Sequence, residues 1–297
     1  MLYVTGITGH TGKYLVEKLI KENYKGKIRC AVRPNSDTSI IDNSGLNIEK
    51  VVDDLSDIEF LKESMKDIET VLHIVHINKS ENVLDAAIYN GVKWAIMVHT
   101  TGRYSKYKSA SSEYIKIEDN VLSNRDKIGI TILRPTMIYG SHRDQNMYRL
   151  IDYLNRHKFF PIFGNGKNLM QPVSAKDLGE AYYSVLINRD KTYNKEYNLS
   201  GGSPLEYINL CRTITNILNK KTSYIFIPLQ LSVLLAKIYN TLFKKALISV
   251  EQVLRMQEDK IFDHKNATLD FGYHPATFEK GVSKEINEYL LKQTITQ

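Results

Sequence analysis

Cysteine is scarce. The 297 residues contain two, Cys30 and Cys211, far apart and each among apolar neighbours. No metal-ligand spacing involves them, so they read as small buried hydrophobes in a reducing compartment. No leader is expected either. The chain runs straight into the strand-like MLYVTGITG, without the basic region, apolar stretch and cleavage site of a signal peptide, and the expected location is cytoplasmic. There is no internal repeat and no low-complexity segment. No hydrophobic run is long and clean enough to span a bilayer. The richest, residues 224–245 (YIFIPLQLSVLLAKIYNTLFKK), is broken by Pro228 and carries Lys237. It predicts a strand and then a core helix packed within the C-terminal lobe, with a helix lying in a membrane interface as the alternative.

The formal net charge is +7. That suits phosphate-rich ligands such as a dinucleotide, a nucleotide-sugar or a nucleic acid. The lysines are scattered rather than clustered, so solubility is their expected role and no nucleic-acid partner is expected.

What the sequence does have is alternation. Short β-branched runs at 2–6, 27–33, 48–54, 70–76, 94–101 and 130–135 are separated by amphipathic stretches at 12–23, 58–67, 80–91 and 111–124. Strand, helix, strand, repeated, predicts a parallel sheet with helices on both faces. The runs mostly lack polar alternation, as strands buried on both sides do. After Gly140 the pattern loosens. Helices are expected at 147–157 and 174–188, the latter capped by Ser174, with a glycine turn at 161–168 and a short strand at 196–202. Beyond Ser203 the chain is mostly helical.

VTGITGHTGKYL sets Gly6, Gly9 and Gly12 three residues apart between the first strand and first helix. The first glycine makes the tight turn, the second admits a pyrophosphate to the backbone, and the third lets helix pack on strand. Thr8, His10 and Thr11 belong to the same turn. At the end of the second strand, where NAD sites commonly place an acid, stands Arg33. A guanidinium there suits a 2′-phosphate and favours NADP over NAD, with Arg29 and Asn35 able to assist. Asp54 and Leu55 would border the adenine. Asp53 and Asp54 could equally cap the following helix. His73, His76 and His99 lie in strand-like segments and read as buried, hydrogen-bonded histidines without metal-ligand spacing.

With these stretches the chain resembles the extended or atypical short-chain dehydrogenase/reductase superfamily, nearest to its nucleoside-diphosphate-sugar epimerase-like, NmrA-like branch. TGITGHTG (5–12), VVDDLSD (51–57), VLHIVH (71–76), NGVKWAIMVHTT (90–101), ILRPTMIYG (132–140), PIFGNGKNLMQPVSAKDLGEA (161–181) and YNLSGGSPLEY (197–207) carry the resemblance in the family's order. It implies an α/β fold: a Rossmann-type doubly wound parallel sheet with a smaller, mainly helical C-terminal lobe. The NAD(P)-binding core would take 1–140, with 174–200 returning to it, and a substrate-binding lobe would take 141–173 and 201–297. It places Pro135 beside the nicotinamide and the 161–181 stretch at the substrate cleft. Where relatives carry two small residues after the fourth strand, this chain has Val75 and His76. The implied function is an NAD(P)-dependent oxidoreductase or epimerase acting on a small polar substrate, a nucleotide-sugar among the candidates. A non-catalytic NADP sensor, regulator or assembly protein is the alternative. Homodimer and monomer both stay open.

Active relatives carry a Tyr and, four residues later, a Lys on one helix face, with a Ser or Thr at the end of strand five. Thr100 and Thr101 fill that last place. Two alignments compete for the pair. Tyr104 and Lys108 have the required spacing, on a helix expected to start near Ser105, and Thr101 would then hold the substrate oxygen. Counting back from ILRP instead puts Tyr114 at the tyrosine place and Glu118 at the lysine place, which implies an altered site. The stripe Tyr107, Ala110, Tyr114, Ile117 and Val121 also gives Tyr114 a plain explanation as core.

Overall fold

The computed structural model describes residues 1–52, 54–242 and 250–296. Its first half alternates β1 (Leu2–Thr5), α1 (Gly12–Lys21), β2 (Ile28–Val32), α2 (Ser39–Asp42), β3 (Ile48–Val52), α3 (Ile58–Ser64), β4 (Thr70–His73), α4 (Ser80–Tyr89), β5 (Trp94–Val98), α5 (Lys108–Leu122) and β6 (Gly129–Pro135). The second half follows with β7 (Ile138–Tyr139), α6 (Met147–Arg156), β8 (Phe159–Phe163), β9 (Leu169–Met170), β10 (Val173–Ser174), α7 (Ala175–Ile187), α8 (Arg189–Thr192), β11 (Glu196–Leu199), β12 (Leu205–Glu206) and α9 (Tyr207–Ile217). The last elements are β13 (Ser223–Ile227), α10 (Leu229–Leu242), α11 (Val250–Arg255), α12 (Lys265–Phe271) and α13 (Phe278–Thr296).

Seven strands form one parallel sheet in the order β11-β6-β5-β4-β1-β2-β3. Strand order reverses beside β1, and that switch point opens a crevice at the carboxyl ends of β1 and β4. Alternate side chains of each strand feed two cores. Val4, Leu72, Ile96 and Leu133 pack against Leu15 and Leu19 of α1 and Leu178 and Tyr182 of α7. Tyr3, Val71, Met97 and Ile132 pack against Leu61 of α3, Leu84 of α4 and Val121 of α5 on the other face. This is the doubly wound α/β arrangement the alternating runs predict. Cys30 and Cys211 are free thiols buried in the packing, and burial pushes both up to about 12.

A smaller third core joins Met147 and Ile151 of α6, Ile208 and Ile214 of α9, and Val282, Ile286 and Tyr289 of α13. It is the core of the C-terminal, mainly helical region. Ser174 caps α7 as expected, its hydroxyl accepting from Asp177 N. One element departs from the expected division of the chain. The α12 helix lies within 201–297 yet packs on the sheet, where Phe271 meets Tyr197 edge-on at 5.1 Å and Lys195 pairs with Asp270 at 2.8 Å.

The 224–245 stretch is β13 followed by α10, its last residues from Phe243 onward lying outside the described residues. The α10 helix is not a core helix. Its inward positions are the small Ser232 and Ala236, while Leu231, Leu234, Leu235 and Ile238 stay exposed. Small inward residues leave nothing large to bury, so the apolar stripe faces out. No helix among the described residues is long and apolar enough to cross a membrane.

Candidate functional site

The glycine turn leaves β1 at Gly6, whose φ of +77° is a conformation that side-chain-bearing residues rarely adopt. Gly9 N then donates to Gly6 O at 2.9 Å and closes the turn. A Cβ on Gly12 would stand 2.2 Å from Gly6 O and 2.5 Å from Ile7 O, so only glycine lets α1 start this close to the strand. The N-terminus of α1 therefore opens at the crevice, which Gly9, His10 and Thr11 line.

A cleft of about 470 Å³ runs from this turn along the strand ends. Gly6, Thr8, Gly9, His10, Thr11, Arg33, Asp54, Leu55 and Val75 line it, together with Ser36, Lys79, Ile74 and Ile138. It continues into a second part of about 380 Å³, with which it shares His10, Thr11, Ile74, Val75 and Ile138. There the walls are His76, Thr100, Tyr114, Pro135 and Thr136, with Asp144, Gln145 and Asn146 from the C-terminal region. Arg33 is exposed at the rim. Lys79 reaches the same corner, 3.9 Å from Asp54 and hydrogen-bonded to Ser56. Arg143 crosses from the C-terminal region and donates to Thr8 O at 2.7 Å.

Several expected residues stand elsewhere. Arg29 cannot assist Arg33, because it is tied to the Ser64 and Lys66 carbonyls and to Glu49. Asn35 is not among the lining residues; Ser36 is. Asp54 makes a turn by accepting from Ser56 N, while the cap of α3 is Asp57 and Asp53 lies outside the described residues. His73 and His99 are buried and hydrogen-bonded, His73 to Thr5 and His99 to Glu118 and Ser80. Burial pushes both down to about 3. His76 breaks that expectation: it is exposed at the cleft and caps the turn after β4. The 161–181 stretch does not line the cleft, and Gln145 and Asn146 take the place expected for it.

The largest difference concerns the tyrosines. The α5 helix begins at Lys108, not near Ser105. Glu258 takes the reason on itself: it accepts from Ser105 Oγ at 2.9 Å and from Lys106 N at 2.7 Å, holding the chain extended before the helix. Tyr104 ends a separate 3-10 turn over Thr101–Tyr104. Its ring is exposed and lies 5.4 Å from Phe262. Tyr104 and Lys108 therefore share no helix face, and neither is among the residues lining the cleft. Thr101 is buried and spends its hydroxyl on Pro135 O at 3.1 Å. Thr100 is the threonine at the cleft. Its oxygen accepts from Gly102 N at 3.0 Å, which leaves its O–H to donate elsewhere.

Tyr114 reaches the cleft beside it. A Cβ on Gly102 would lie 3.1 Å from the Tyr114 ring and 3.2 Å from Thr100 Oγ1, so both side chains flank this glycine. One turn on, Glu118 is fully buried and is not among the residues lining the cleft. It accepts from Arg134 Nη2 at 2.6 Å, from His99 Nδ1 at 2.9 Å, and from Arg103. Ile117 and Val121 continue the buried stripe, and the Ala110 side chain lies outside the described residues. No local signal distinguishes Lys79, Gln145 or Asn146 as cleft residues, because each arrives from an element whose place is set by packing.

Comparison with known proteins agrees with this geometry. The NAD(P)H-binding family matches residues 6–158. A sterol-4-alpha-carboxylate 3-dehydrogenase (decarboxylating) of Dictyostelium discoideum is 23% identical over 69% of this chain and 73% of its own length. Among solved structures, the dTDP-glucose 4,6-dehydratase DesIV of Streptomyces venezuelae with NAD bound superposes with a TM-score of 0.76 at 15% identity, over 99% of this chain and 98% of that one. A UDP-glucuronic acid 4-epimerase of Bacillus cereus, in complex with UDP-glucuronic acid and NAD, gives 0.74 at 18% identity, over 99% of both chains. The fold, the glycine turn and the cleft suit a dinucleotide, and the cofactor is NAD(P). The match across more than half of the chain completes the assignment: this protein belongs to the NAD(P)H-binding family, within the extended short-chain dehydrogenase/reductase superfamily.

Proposed function

We propose that this protein is an NADP-linked reductase or epimerase of the short-chain dehydrogenase/reductase type, acting on a small polar substrate. A nucleotide-sugar is the first candidate, since two proteins of the same fold act on such compounds by name. The observation that carries the reading is the placing of Thr100 and Tyr114 together at the end of a cleft that starts at the glycine turn.

The backbone of Gly6–Gly12 and the α1 N-terminus would take the pyrophosphate, and Arg33 with Ser36 the 2′-phosphate. NADP held there supplies or accepts hydride. Thr100 Oγ1 accepts from Gly102 N and keeps its O–H free to donate to a substrate oxygen. Tyr114 is the proton donor to that oxygen. The residue one turn after Tyr114 is Glu118 rather than lysine, and among the described residues no Lys or Arg lines this end of the cleft. Giving its proton leaves Tyr114 a phenolate that must be reprotonated from solvent, and a nearby cation would stabilise that phenolate in either direction of the reaction. Turnover through Tyr114 is therefore expected to be slower than with a lysine-assisted tyrosine.

The fate of Glu118 supports a second reading, a nucleotide-binding sensor or assembly protein without turnover. One experiment separates them. NADPH oxidation is followed with nucleotide-sugars that carry a keto group, for the natural protein and for Tyr114→Phe. The catalytic reading expects turnover that falls about a hundredfold in the variant, with cofactor affinity unchanged. NADPH binding without oxidation of any keto-sugar would leave the sensor reading, whereas full activity in Tyr114→Phe would remove Tyr114 as the proton donor.

A further inference from the structure

The α10 helix is turned inside out for a soluble domain. Leu231, Leu234, Leu235 and Ile238 follow the i, i+3, i+4, i+7 spacing of one helix face and are between 45% and 52% exposed. The opposite face carries Ser232 and Ala236, which are 2% and 8% exposed. Just upstream, Ile225 and Phe226 of β13 are 51% and 49% exposed, joined to the helix only by Pro228. Six large apolar side chains thus stand out within one strand–helix unit, more than isolated surface hydrophobics account for.

The charge along this stretch of the sequence has one sign. No Asp or Glu occurs between Glu206 and Glu251, whereas the same stretch carries Arg212, Lys220, Lys221, Lys237, Lys244 and Lys245. Lys220 and Lys221 are exposed at the turn leading into β13, and Lys237 is exposed on α10 beside Ile238. The bases are spread along the chain, but the acids that elsewhere balance them are missing here. An apolar helix face on a stretch of sequence with several bases and no acid, the nearest being Glu251 of the neighbouring α11, is the composition of a helix that lies in the plane of an anionic membrane.

We propose that the outward face of α10, with Ile225 and Phe226, docks this protein on an anionic lipid bilayer. Among the described residues the helix has 14 and is too short to cross, so it would lie in the interface with its leucines among the acyl chains and Lys237 at the headgroups. A second copy of the chain fits the face less well. Pairing two such faces would bring Lys220, Lys221 and Lys237 of each copy together with no acid from this stretch to meet them.

The test is co-flotation of the full chain with vesicles of phosphatidylcholine alone or mixed with phosphatidylglycerol, at low and high salt. Binding should be at least tenfold stronger to the mixed vesicles and should weaken as salt rises. The double substitution Leu234→Glu, Leu235→Glu should lower it at least tenfold while NADPH titration, which reports an intact fold, stays unchanged. Reversing Lys220 and Lys221 to Glu should weaken binding to the mixed vesicles and leave the apolar face in place. Failure of the natural protein to float with mixed vesicles at low salt would overturn the proposal. So would equal binding by the leucine variant. A dimer seen by light scattering that the same variant dissociates, with no vesicle binding, would assign the face to a second copy instead.

Discussion

Arg134 grips the carboxylate of Glu118 through Nε, at 2.9 Å, and Nη2, at 2.6 Å, with both side chains buried. The contact ties β6 to α5 across the floor of the site. Arg103 adds a second guanidinium from the turn after β5, and His99 donates its Nδ1–H to the other oxygen. With that proton on Nδ1, His99 Nε2 is left to accept from Ser80 Oγ. Tyr104 lies over the outside of this cluster, 5.7 Å from the Arg134 guanidinium. The position one turn after Tyr114 is thus committed to holding the fold, and it cannot also serve the tyrosine.

Removing Glu118 should be costly. Glu118→Ala takes from Arg134 and Arg103 the buried carboxylate they share, leaving them only Glu196 and Asp119, and a broken buried pair costs about 3–5 kcal/mol. Urea unfolding should show a loss of that size. Glu118→Lys, which imitates the relatives' lysine on paper, should be worse, because it sets a third cation against two. A loss under about 1 kcal/mol in the alanine variant would mean that the cluster contributes little.

Arg33 should decide between the two dinucleotides. The natural protein is expected to bind NADPH more tightly than NADH. Arg33→Asp should reverse the order, since like charge then meets the 2′-phosphate. Fluorescence titration with both cofactors measures this, and unchanged preference in the variant would remove Arg33 from the site.

Arg143 should act on both cofactors alike. It reaches Thr8 O from the C-terminal region, over the glycine turn proposed to take the pyrophosphate. Arg143→Ala should weaken NADPH and NADH by about tenfold each, the size of one charge-assisted contact. Binding of 2′-AMP, which has no pyrophosphate, should not change. An equal loss with 2′-AMP would point to a general effect on the fold.

The pH dependence of stability should report Glu285. This side chain is 1% exposed and accepts from Gly140 N at 2.8 Å beside Asp144. Burial first, and then Asp144, push its carboxyl from 4.5 up to about 10. The folded value lies above the unfolded one, so the folded state holds a proton that the unfolded state releases. Stability from this group is complete below about 4.5 and is lost as pH rises towards 10. Glu285→Gln keeps the shape and needs no proton. It should be more stable than the natural protein at pH 8, and the gap should close as the pH falls towards 5. A gap that does not depend on pH would contradict the assignment.

Much of this protein is determined locally and can be read along the chain. Gly6, Gly9 and Gly12 are dictated by sterics within one turn, where no other residue fits against Gly6 O. The β-branched runs and the helical stripes identify β1 to β6 and α1, α3, α4 and α5, but not the short α2, because side-chain period follows backbone geometry directly. The choice between Tyr104 and Tyr114 is of another kind. It depends on where α5 begins, which Glu258 decides from some 150 residues away by holding Ser105 and Lys106 extended. It depends equally on Arg134 in β6, which draws Glu118 inward. The α10 segment shows the same division. Its period announces a helix with an apolar stripe, but period alone carries no information about which face meets the protein. That was decided by packing, which took Ser232 and Ala236 inward and left the leucines outside, because burial depends on what surrounds a helix and not on the helix alone.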